Sequence, residues 1–326
     1  MKLAFTICSV SHLGQAKTMA DSFLEHNPDY ELKIGILDRL GDRIDAAEFA
    51  AYGLFEIGAL GIPNFDVLLQ KYTVFELCCV IRPHVCKFLL AENSGVEKLL
   101  FIDSDIFFFN SVESVDSALD THDILLTPHT FRPFPEDGKY PKEVSFNNAG
   151  LYNTGFFALK RSDSTTNFLN WWEERLNQYG FVNFMDGMFV DQLWANFVPL
   201  FFENVLVSQN LGLNVGYWNL HERNIESKDG TFVVNAKYRL TFFHFSGYDI
   251  KERDKISVHT DRFDLANRPE LRPLFEEYHE KMTQNEYEKY RPMENRLVPQ
   301  KSYLKWDVLR EYALRISRKI IRELHG

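Results

Sequence analysis

The sequence predicts an α/β fold, in which helices cover a central sheet, and two stretches of the chain predict it. The chain opens with a short apolar strand (3–8), a segment with helical spacing (16–24) and a second apolar strand (32–37). Strand, helix and strand in this order begin many nucleotide-binding folds. Further along, residues 99–109 form an apolar run rich in aromatic and branched side chains, which indicates a strand buried on both faces.

The composition is that of an ordinary globular protein with a large core. The 326 residues are 45% hydrophobic and include 29 Phe, so we expect one sizeable domain with an appendage. A formal net charge of -10 disfavours nucleic-acid binding, which needs a basic surface. The four cysteines lack the spacing of a zinc site and are expected to be reduced. Because we find neither a signal peptide nor a membrane-spanning run, we expect a cytoplasmic protein.

The first half of the chain predicts alternating helices and strands without a glycine-rich phosphate loop. Gly14 stands alone after the first strand, so neither a P-loop nor a classical dinucleotide site is expected. Residues 65–91 indicate helix, with a restart at Arg82-Pro83 because proline suits a first helical turn. The remaining elements expected in this half are the strand at 99–109, a short helix at 112–118 and a strand at 123–127.

The second half begins with a stretch rich in Pro, Gly, Asp, Lys and Asn without periodicity (130–148), which predicts a long loop able to cover a site. The elements expected after it are a strand at 150–159, an amphipathic helix at 165–179, a helix that begins within 185–194, strands at 211–220 and 240–245, and charged helices from 261 to 290. We therefore expect a catalytic domain of residues 1–260 and a C-terminal helical region of residues 261–326.

The last stretch of the chain, residues 301–326, has the pattern of a basic amphipathic helix. Its apolar residues fall on one helical face, whereas lysines and arginines occupy the rest. In an acidic protein such a segment predicts peripheral contact with an anionic membrane, here the inner face of the cell membrane. The alternative is that it packs on the domain or forms a dimer.

Asp103 and Asp105 lie inside the apolar run, where unpaired carboxylates would be costly to bury. Residues two apart on a strand share a face, so both side chains could hold one hard cation while Ser104 turns away. The plainer alternative is a pair of aspartates at a strand end that cap the following turn.

His244 lies at the end of a late strand and precedes Ser246-Gly247, which gives a tight turn. A lone histidine is more often structural than a ligand. Together with Asp103 and Asp105, however, it completes a set of two carboxylates and one imidazole, which suits Mn²⁺ better than Mg²⁺.

Asp191-Gln192 and Asn153 are the other candidates for the chemistry of the site. Asp191 stands in an apolar surround, and carboxylates and amides of this kind read sugar hydroxyls. Asn153 precedes Gly155, which lets a ligand approach the backbone; the alternative is a turn asparagine. Asp186 is either functional or a helix N-cap.

These motifs resemble, in order and rough spacing, those of the glycosyltransferases with a GT-A fold. The motifs are Asp103-Ser104-Asp105, Asn153-Thr154-Gly155, Asp191-Gln192 and His244-Phe245-Ser246-Gly247. Family 8, which contains retaining galactosyl- and glucosyltransferases of lipooligosaccharide synthesis, is the nearest comparison. The wider motifs, which include Asn214-Val215-Gly216-Tyr217-Trp218-Asn219-Leu220, are similar to a group of bacterial cell-surface polysaccharide glycosyltransferases. The resemblance covers roughly residues 1–250. Two departures from family 8 are Leu193 after Asp-Gln and a lysine displaced to Lys251.

The resemblance implies a Rossmann-like GT-A fold with a mixed central sheet and a role for each matched residue. Asp103, Asp105 and His244 are implied to hold Mn²⁺, or Mg²⁺, on the donor diphosphate, with Ser104 and Gly247 beside it. Asn153, Asp191 and Gln192 are implied to face the donor sugar. Thr6, Ser9 and Asp38 are implied to lie along the nucleoside, and either Arg82 or Lys87 to reach the phosphates or ribose.

The function implied is transfer of a hexose from a nucleotide diphosphate sugar, a UDP-sugar, to a glycan or glycolipid acceptor at the cell surface. The resemblance favours retention of configuration, in which Gln192 or the leaving phosphate assists attack. Inversion would instead need Asp191 or Asp186 as general base. Two alternatives stay open, namely a nucleotide-sugar binding protein without activity and a sugar-nucleotide pyrophosphorylase. The second would need a glycine- and lysine-rich loop after the first strand, which residues 9–17 lack.

Overall fold

The computed structural model describes residues 1–228 and 230–299. The basic amphipathic helix expected at 301–326 lies outside the described residues. In the part of the chain that the structure describes, no helix is both long and apolar enough to cross a lipid bilayer.

The chain forms a mixed α/β structure, as predicted, around a sheet of seven strands. The strands, numbered in chain order, are β1 (Lys2–Cys8), β2 (Tyr30–Ile36), β3 (Gly53–Glu56), β4 (Lys98–Ile102), β5 (Ile106–Phe108), β6 (Ile124–Pro128), β7 (Tyr152–Lys160), β8 (Val182–Asn183), β9 (Met188–Phe189), β10 (Val205–Val207), β11 (Ile225–Lys228), β12 (Thr231–Val234), β13 (Tyr238–Arg239) and β14 (Phe242–His244). The helices are α1 (Leu13–His26), α2 (Phe65–Lys71), α3 (Val74–Val80), α4 (Arg82–Glu92), α5 (Glu113–Thr121), α6 (Glu143–Ala149), α7 (Asp163–Tyr179), α8 (Val198–Phe201), α9 (Arg272–Gln284) and α10 (Tyr287–Tyr290).

The central sheet has the order β10-β6-β7-β4-β1-β2-β3. All its neighbouring strands are parallel except at β7, which runs antiparallel to both β4 and β6. Successive residues of β4 point into two different cores, since Leu99 and Phe101 belong to one apolar cluster and Leu100 and Ile102 to the other. Both faces of this strand are therefore buried, which is why its sequence is apolar without alternation.

The run 99–109 is not one strand, contrary to the prediction. β4 ends at Ile102, Asp103 to Asp105 form a turn, and β5 leaves the central sheet to pair antiparallel with β14. The backbone N–H of Ile106 donates to the carbonyl of Asp103 at 3.2 Å, which closes the turn. The two carboxylates therefore converge through a turn and not through the two-residue period of a strand.

Three other sequence predictions differ from the structure. Residues 211–220 form turns instead of a strand because asparagine side chains bond this backbone: Oδ1 of Asn210 accepts from the N–H of Gly212, and Asn214 has a φ of 50°. Asp191-Gln192 lies in a turn before a 3₁₀ segment, not at the start of an α-helix. The loop expected at 130–148 contains α6, and the short strands β3 and β10 and the meander β11-β12-β13 were not predicted.

The helices predicted between 261 and 290 are present as α9 and α10, and both pack against α1. A Cβ atom on Gly14 of α1 would lie 2.7 Å from the Cα atom of Tyr287 in α10. The absence of a side chain at Gly14 therefore allows α1 and α10 to pack in direct contact. In addition, the ring of Tyr278 in α9 stacks on the ring of Phe245, with 3.9 Å between the ring centroids.

Candidate metal centre and active site

Three side chains converge at the end of β4 in an arrangement able to hold a metal ion. Asp103 and Asp105 come from the turn after β4, and His244 ends β14. One ligand atom of each lies within 4.8 Å of the others, and Nε2 of His244 is 3.0 Å from Oδ1 of Asp105. Two carboxylates and an imidazole are a donor set that suits Mn²⁺ and, less well, Mg²⁺.

Gly155 on β7 leaves the space in which these side chains meet. β7 is antiparallel to β4, so its beginning lies beside the end of β4, and the N–H of Asp103 donates to the carbonyl of Gly155 at 2.7 Å. A Cβ atom at Gly155 would lie 2.5 Å from Oδ2 of Asp103 and 2.5 Å from Cε1 of His244. The missing side chain therefore allows the carboxylate and the imidazole to share one small space.

The second nitrogen of His244 is fixed by Asn214. Nδ1 of His244 lies 3.1 Å from Oδ1 of Asn214, and because an amide oxygen only accepts, Nδ1 donates. Nδ2 of Asn214 in turn donates to Oγ1 of Thr127 at 2.8 Å and to Oδ1 of Asn153 at 3.1 Å. Metal-binding histidines are typically oriented by such a bond from their other nitrogen, which leaves Nε2 for the metal.

Arg82 links two of the carboxylates of the site. Its guanidinium donates to Asp103 at 2.6 Å and to Asp191 at 2.7 Å, and also to the carbonyl of Thr154 at 3.0 Å. The guanidinium lies over the ring of Phe101, 4.2 Å from its centroid. One buried arginine thus balances the buried Asp191 and the half-buried Asp103, and Asp105 adds a third negative charge beside His244. The surplus of negative charge favours a bound cation.

Burial and mutual charges shift the pKa values of the three candidate ligands. Burial raises the pKa of Asp103 to about 6, an effect that Arg82 opposes and Asp105 reinforces. Burial also disfavours the charged form of Asp105, but the charge and hydrogen bond of His244 outweigh it and lower the pKa of Asp105. Burial opposes the charge on His244 as well, whereas Asp105 raises the pKa of His244. A metal at this site would therefore compete with protons.

Two cavities, each of about 530 Å³, meet at Asp103 and Asp105. The first cavity extends along the end of β1 and is lined there by Ser9, His12, Tyr248 and Arg291, among others. The second cavity extends toward β7 and is lined by residues that include Asn153, Gln192, Tyr217, Trp218 and His259. The candidate metal centre thus lies at the junction of two ligand-sized spaces.

Most of the residues predicted for the site lie around these cavities. Ser9, Ser104 and Gly247 line the first cavity, Asn153, Asp191 and Gln192 line the second, and Arg82, Asp103 and Asp105 line both. Asn153 is bound within a network, since its Oδ1 also accepts from the N–H of Gly155 at 3.0 Å and its Nδ2 lies 3.3 Å from Nε2 of His129. Nε2 of Gln192 donates to the carbonyl of Ala149 at 2.9 Å.

Four predicted residues lie outside both cavities. Thr6 is buried within β1, and Asp38 accepts from Arg43 at 3.0 Å and from the N–H of Arg296 at 2.9 Å. Lys87 pairs with Glu173 of α7 at 3.0 Å and lines neither cavity, whereas Arg82 lines both. Asp186 is exposed, and its carboxylate accepts from Asn183 at 2.8 Å.

The turn that carries Asp191 is strained. Val190 has a φ of 40°, a left-handed conformation that branched residues rarely adopt. The conformation presents the next residue, Asp191, to Arg82, and only 1% of Asp191 is exposed. Such strain is concentrated at functional sites.

Several cavity residues were not predicted as site residues. His12, Tyr248 and Arg291 line the first cavity, and His129, Tyr217 and Trp218 line the second. Burial lowers the pKa of His129 to about 3, so its imidazole is neutral. The motif Gly216-Tyr217-Trp218 could have indicated Trp218, whereas Arg291 follows α10 and has no recognisable pattern.

No protein-family model matches the chain. It is 27% identical over 275 residues to the uncharacterized protein YfnF of Bacillus subtilis (strain 168), a match that covers 83% of this chain and 89% of YfnF. The glycosyltransferase GlyE of Streptococcus pneumoniae TIGR4 is 13% identical, with a TM-score of 0.39 over 64% of this chain. The match spans 45% of the GlyE chain, less than half of its length. The galactosyltransferase LgtC, solved with donor and acceptor sugar analogs, is 17% identical, with a TM-score of 0.39 over 67% of this chain and 76% of LgtC.

Proposed function

We propose that this chain is a metal-dependent glycosyltransferase that moves a hexose from a nucleotide diphosphate sugar, a UDP-sugar, to a glycan acceptor. The observation that carries the proposal is the position of Asp103, Asp105 and His244, which converge where two cavities meet. A diphosphate at this junction would have a nucleoside on one side and a sugar on the other. Membership of glycosyltransferase family 8 is part of the proposal and rests on the motif resemblance.

The space left by Gly155, the orientation of His244 by Asn214 and the surplus negative charge all fit a divalent cation. Asp103, Asp105 and His244 would hold it. When bound, Mn²⁺ or Mg²⁺ supplies the positive charge that stabilises a departing diphosphate. Arg82 keeps one oxygen of Asp103 fixed at 2.6 Å and so orients the carboxylate for its role.

The environment of the other carboxylates supports retention of configuration. Inversion needs a general base beside the acceptor hydroxyl. Asp191 lines the second cavity, but its carboxylate is buried and paired with Arg82 at 2.7 Å, and Asp186 does not line the cavity. Gln192 lines the second cavity and carries no charge. A mechanism in which the leaving phosphate assists attack from the same face needs no protein base, and it agrees with this arrangement.

The segment between β6 and β7 supports a site shielded from water. Tyr140, Pro141, Ser145 and Phe146 from this segment line the second cavity. The segment is held by contacts to the far part of the chain, where the N–H of Tyr140 donates to Asp261 at 2.6 Å and Arg262 pairs with Asp137. Exclusion of water would direct the sugar to an acceptor hydroxyl and away from hydrolysis.

The acceptor is proposed to be a growing cell-surface glycan on a lipid, as in lipopolysaccharide or capsule synthesis. The support is the basic amphipathic sequence of residues 301–326, which would bring the site to an anionic leaflet. The localisation that follows is cytoplasmic and peripheral to the inner face of the membrane.

Incubation of the full chain with Mn²⁺ and a panel of nucleotide sugars, with and without glycan acceptors, tests the function. The expected result is release of a nucleoside diphosphate from one donor, slow without acceptor and faster with it. Consumption of a nucleoside triphosphate and a sugar phosphate instead would identify a pyrophosphorylase. Tight binding of nucleotide sugars without turnover with any acceptor would identify a binding protein.

A further inference from the structure

The first cavity is lined by an arginine whose charge no described carboxylate neutralises. Among the described residues, two arginines line this cavity, Arg82 and Arg291. The guanidinium of Arg82 is bound to Asp103 and Asp191. In the part of the chain that the structure describes, no carboxylate forms an ion pair with Arg291, and this residue is exposed. The positive charge of Arg291 is therefore available to a ligand in the cavity.

The charge of Arg291 acts on two side chains of the same cavity. Burial lowers the pKa of His12, and the charge of Arg291 lowers it further, whereas the charge of Asp105 raises it. Burial raises the pKa of Tyr287, and Arg291 opposes this effect through its charge and a hydrogen bond. His12 and Tyr287 both line the first cavity. The guanidinium of Arg291 therefore lies close to the wall that these two side chains form.

The segment that carries Arg291 is fixed on both sides of this residue. The N–H of Arg291 donates to the carbonyl of Tyr287 at 2.9 Å, directly after α10. Further along, the N–H of Arg296 donates to Oδ1 of Asp38 at 2.9 Å. Asn295, next to Arg296, lines the first cavity as well. The backbone contacts therefore hold this segment beside the cavity.

A nucleoside diphosphate at the candidate metal centre would leave negative charge to be balanced. Such a diphosphate carries about three negative charges at neutral pH. Asp105 adds another, since it pairs with His244 and not with an arginine. A divalent cation supplies only part of the positive charge that is needed. The planar guanidinium of an arginine suits the remaining contact, because it can donate to two oxygens of a phosphate group.

We infer that Arg291 binds the phosphate groups of a nucleotide in the first cavity, in addition to the metal, and thereby contributes to recognition of the donor. The inference rests on the proposed function, which places a nucleotide diphosphate at the junction of the two cavities. It assigns a direct role at the donor site to the segment after α10.

Arg291→Gln tests the inference, because it removes the charge and keeps a polar side chain. Arg291→Lys restores the charge without the planar guanidinium. Arg296→Gln is the matched control, since Arg296 is exposed and lines neither cavity. The wild-type full chain and the three variants are titrated by calorimetry with UDP and Mn²⁺ at about 50 mM and about 500 mM salt, because salt screens interactions between exposed charges. Thermal unfolding of each protein measures whether its fold is intact.

The expected result is a loss of about 10-fold in UDP affinity for Arg291→Gln at low salt. This is the lower end for a hydrogen bond between charged groups, because the guanidinium is exposed. The loss should shrink at high salt, Arg291→Lys should recover most of the affinity, and Arg296→Gln should match the wild type.

A structural defect would instead lower the affinity equally at both salt concentrations, and lysine would not repair it. A loss of that kind, an equal loss in Arg296→Gln, or wild-type affinity in Arg291→Gln would overturn the inference alone. Absence of any UDP binding by the wild type would overturn the proposed function.

Discussion

Arg82 pairs with two of the three carboxylates at the candidate site, and this distinguishes them from one another. It occupies Oδ1 of Asp103 and pairs with the buried Asp191, but it leaves Oδ2 of Asp103 beside His244. Asp105 has no bond to Arg82 and faces Nε2 of His244 at 3.0 Å. Asp103 and Asp105 thus keep oxygens that a metal could use, whereas the carboxylate of Asp191 is paired with Arg82.

Replacement of Gly155 by alanine tests whether the space between Asp103 and His244 is needed. The added Cβ atom would lie 2.5 Å from each and force them apart. We expect Mn²⁺ affinity in Gly155→Ala to fall about 10- to 100-fold, as in other cases where support for metal ligands is lost. Calorimetric titration of the variant and the wild type with Mn²⁺ measures this affinity.

Gly53→Ala is the control for this substitution. Gly53 is also a strand glycine, but a Cβ atom there meets only the flexible side chain of Lys33 at 3.0 Å. Mn²⁺ affinity in Gly53→Ala should match the wild type. If Gly155→Ala also binds Mn²⁺ like the wild type, the three side chains do not form a metal site in this arrangement.

The pKa of Asp103 predicts how metal binding depends on pH. Because burial raises the pKa of this carboxyl to about 6, Asp103 takes up a proton as the pH falls through that value. Asp105 raises the pKa of His244, so the imidazole also holds a proton against the metal. A bound metal needs both groups unprotonated. We therefore expect Mn²⁺ affinity to fall steeply between about pH 7 and about pH 5. Protonation of each of the two groups lowers the affinity by up to about tenfold for each pH unit below the pKa of that group.

Titration of Mn²⁺ across this pH range measures the effect, and thermal unfolding of the metal-free protein at each pH shows whether the fold is intact. A metal affinity that stays constant across the range while the fold is intact would contradict the assignment of Asp103 and His244 as ligands.

At the scale of elements, the site is built where β4, β7 and β14 present their ends at one place. The candidate ligands Asp103 and Asp105 follow the last residue of β4, and His244 is the last residue of β14. Gly155 lies near the beginning of β7. This works because β7 is antiparallel to β4, as the pairing of Ile102 with Phe156 shows. The turn at Asp103 to Asp105 then directs β5 out of the central sheet toward β14.

These elements also show how far the sequence allowed prediction. The apolar run around Asp103 predicted a buried strand that carries two metal-binding aspartates, because a carboxylate is conspicuous in apolar surroundings. The break between β4 and β5 could not be predicted from the sequence, because Ile106 to Phe108 are as apolar as β4 itself. The segment at 211–220 was misassigned because its asparagines satisfy the backbone through side chains, which no periodicity reveals. Likewise Arg82 and Asp191 are far apart in sequence, and only the fold pairs them.

The basic amphipathic sequence at 301–326 is the element that predicts membrane contact. It contains seven Lys and Arg against three Asp and Glu, and each basic residue near an anionic surface contributes about 1 kcal/mol. Removal of residues 301–326 should therefore abolish cosedimentation with anionic vesicles. Neutral vesicles serve as the control and should not retain either protein. Unchanged binding of the truncated chain to anionic vesicles would show that residues 301–326 do not mediate membrane contact.

At the scale of the whole molecule, residues from distant parts of the chain enclose one composite space. The first strand contributes Ser9, the turn after β4 contributes Asp103 and Asp105, and the region after α10 contributes Arg291 to the first cavity. Arg291 brings positive charge to a cavity that is also lined by the carboxylates of Asp103 and Asp105. The proposed diphosphate would need such a charge. The helical C-terminal part through residue 299 thus contributes to the site, which the sequence did not predict.

Titration of UDP with and without Mn²⁺ tests whether Asp103, Asp105 and His244 bind a nucleotide diphosphate through a metal. The wild-type chain should bind UDP much more tightly with Mn²⁺ than without it. Asp105→Asn should lose this difference and all turnover while its melting temperature stays near that of the wild type. Asp42→Asn, at an exposed position, is the control and should behave as the wild type. Metal-dependent UDP binding of wild-type strength in Asp105→Asn would contradict the account.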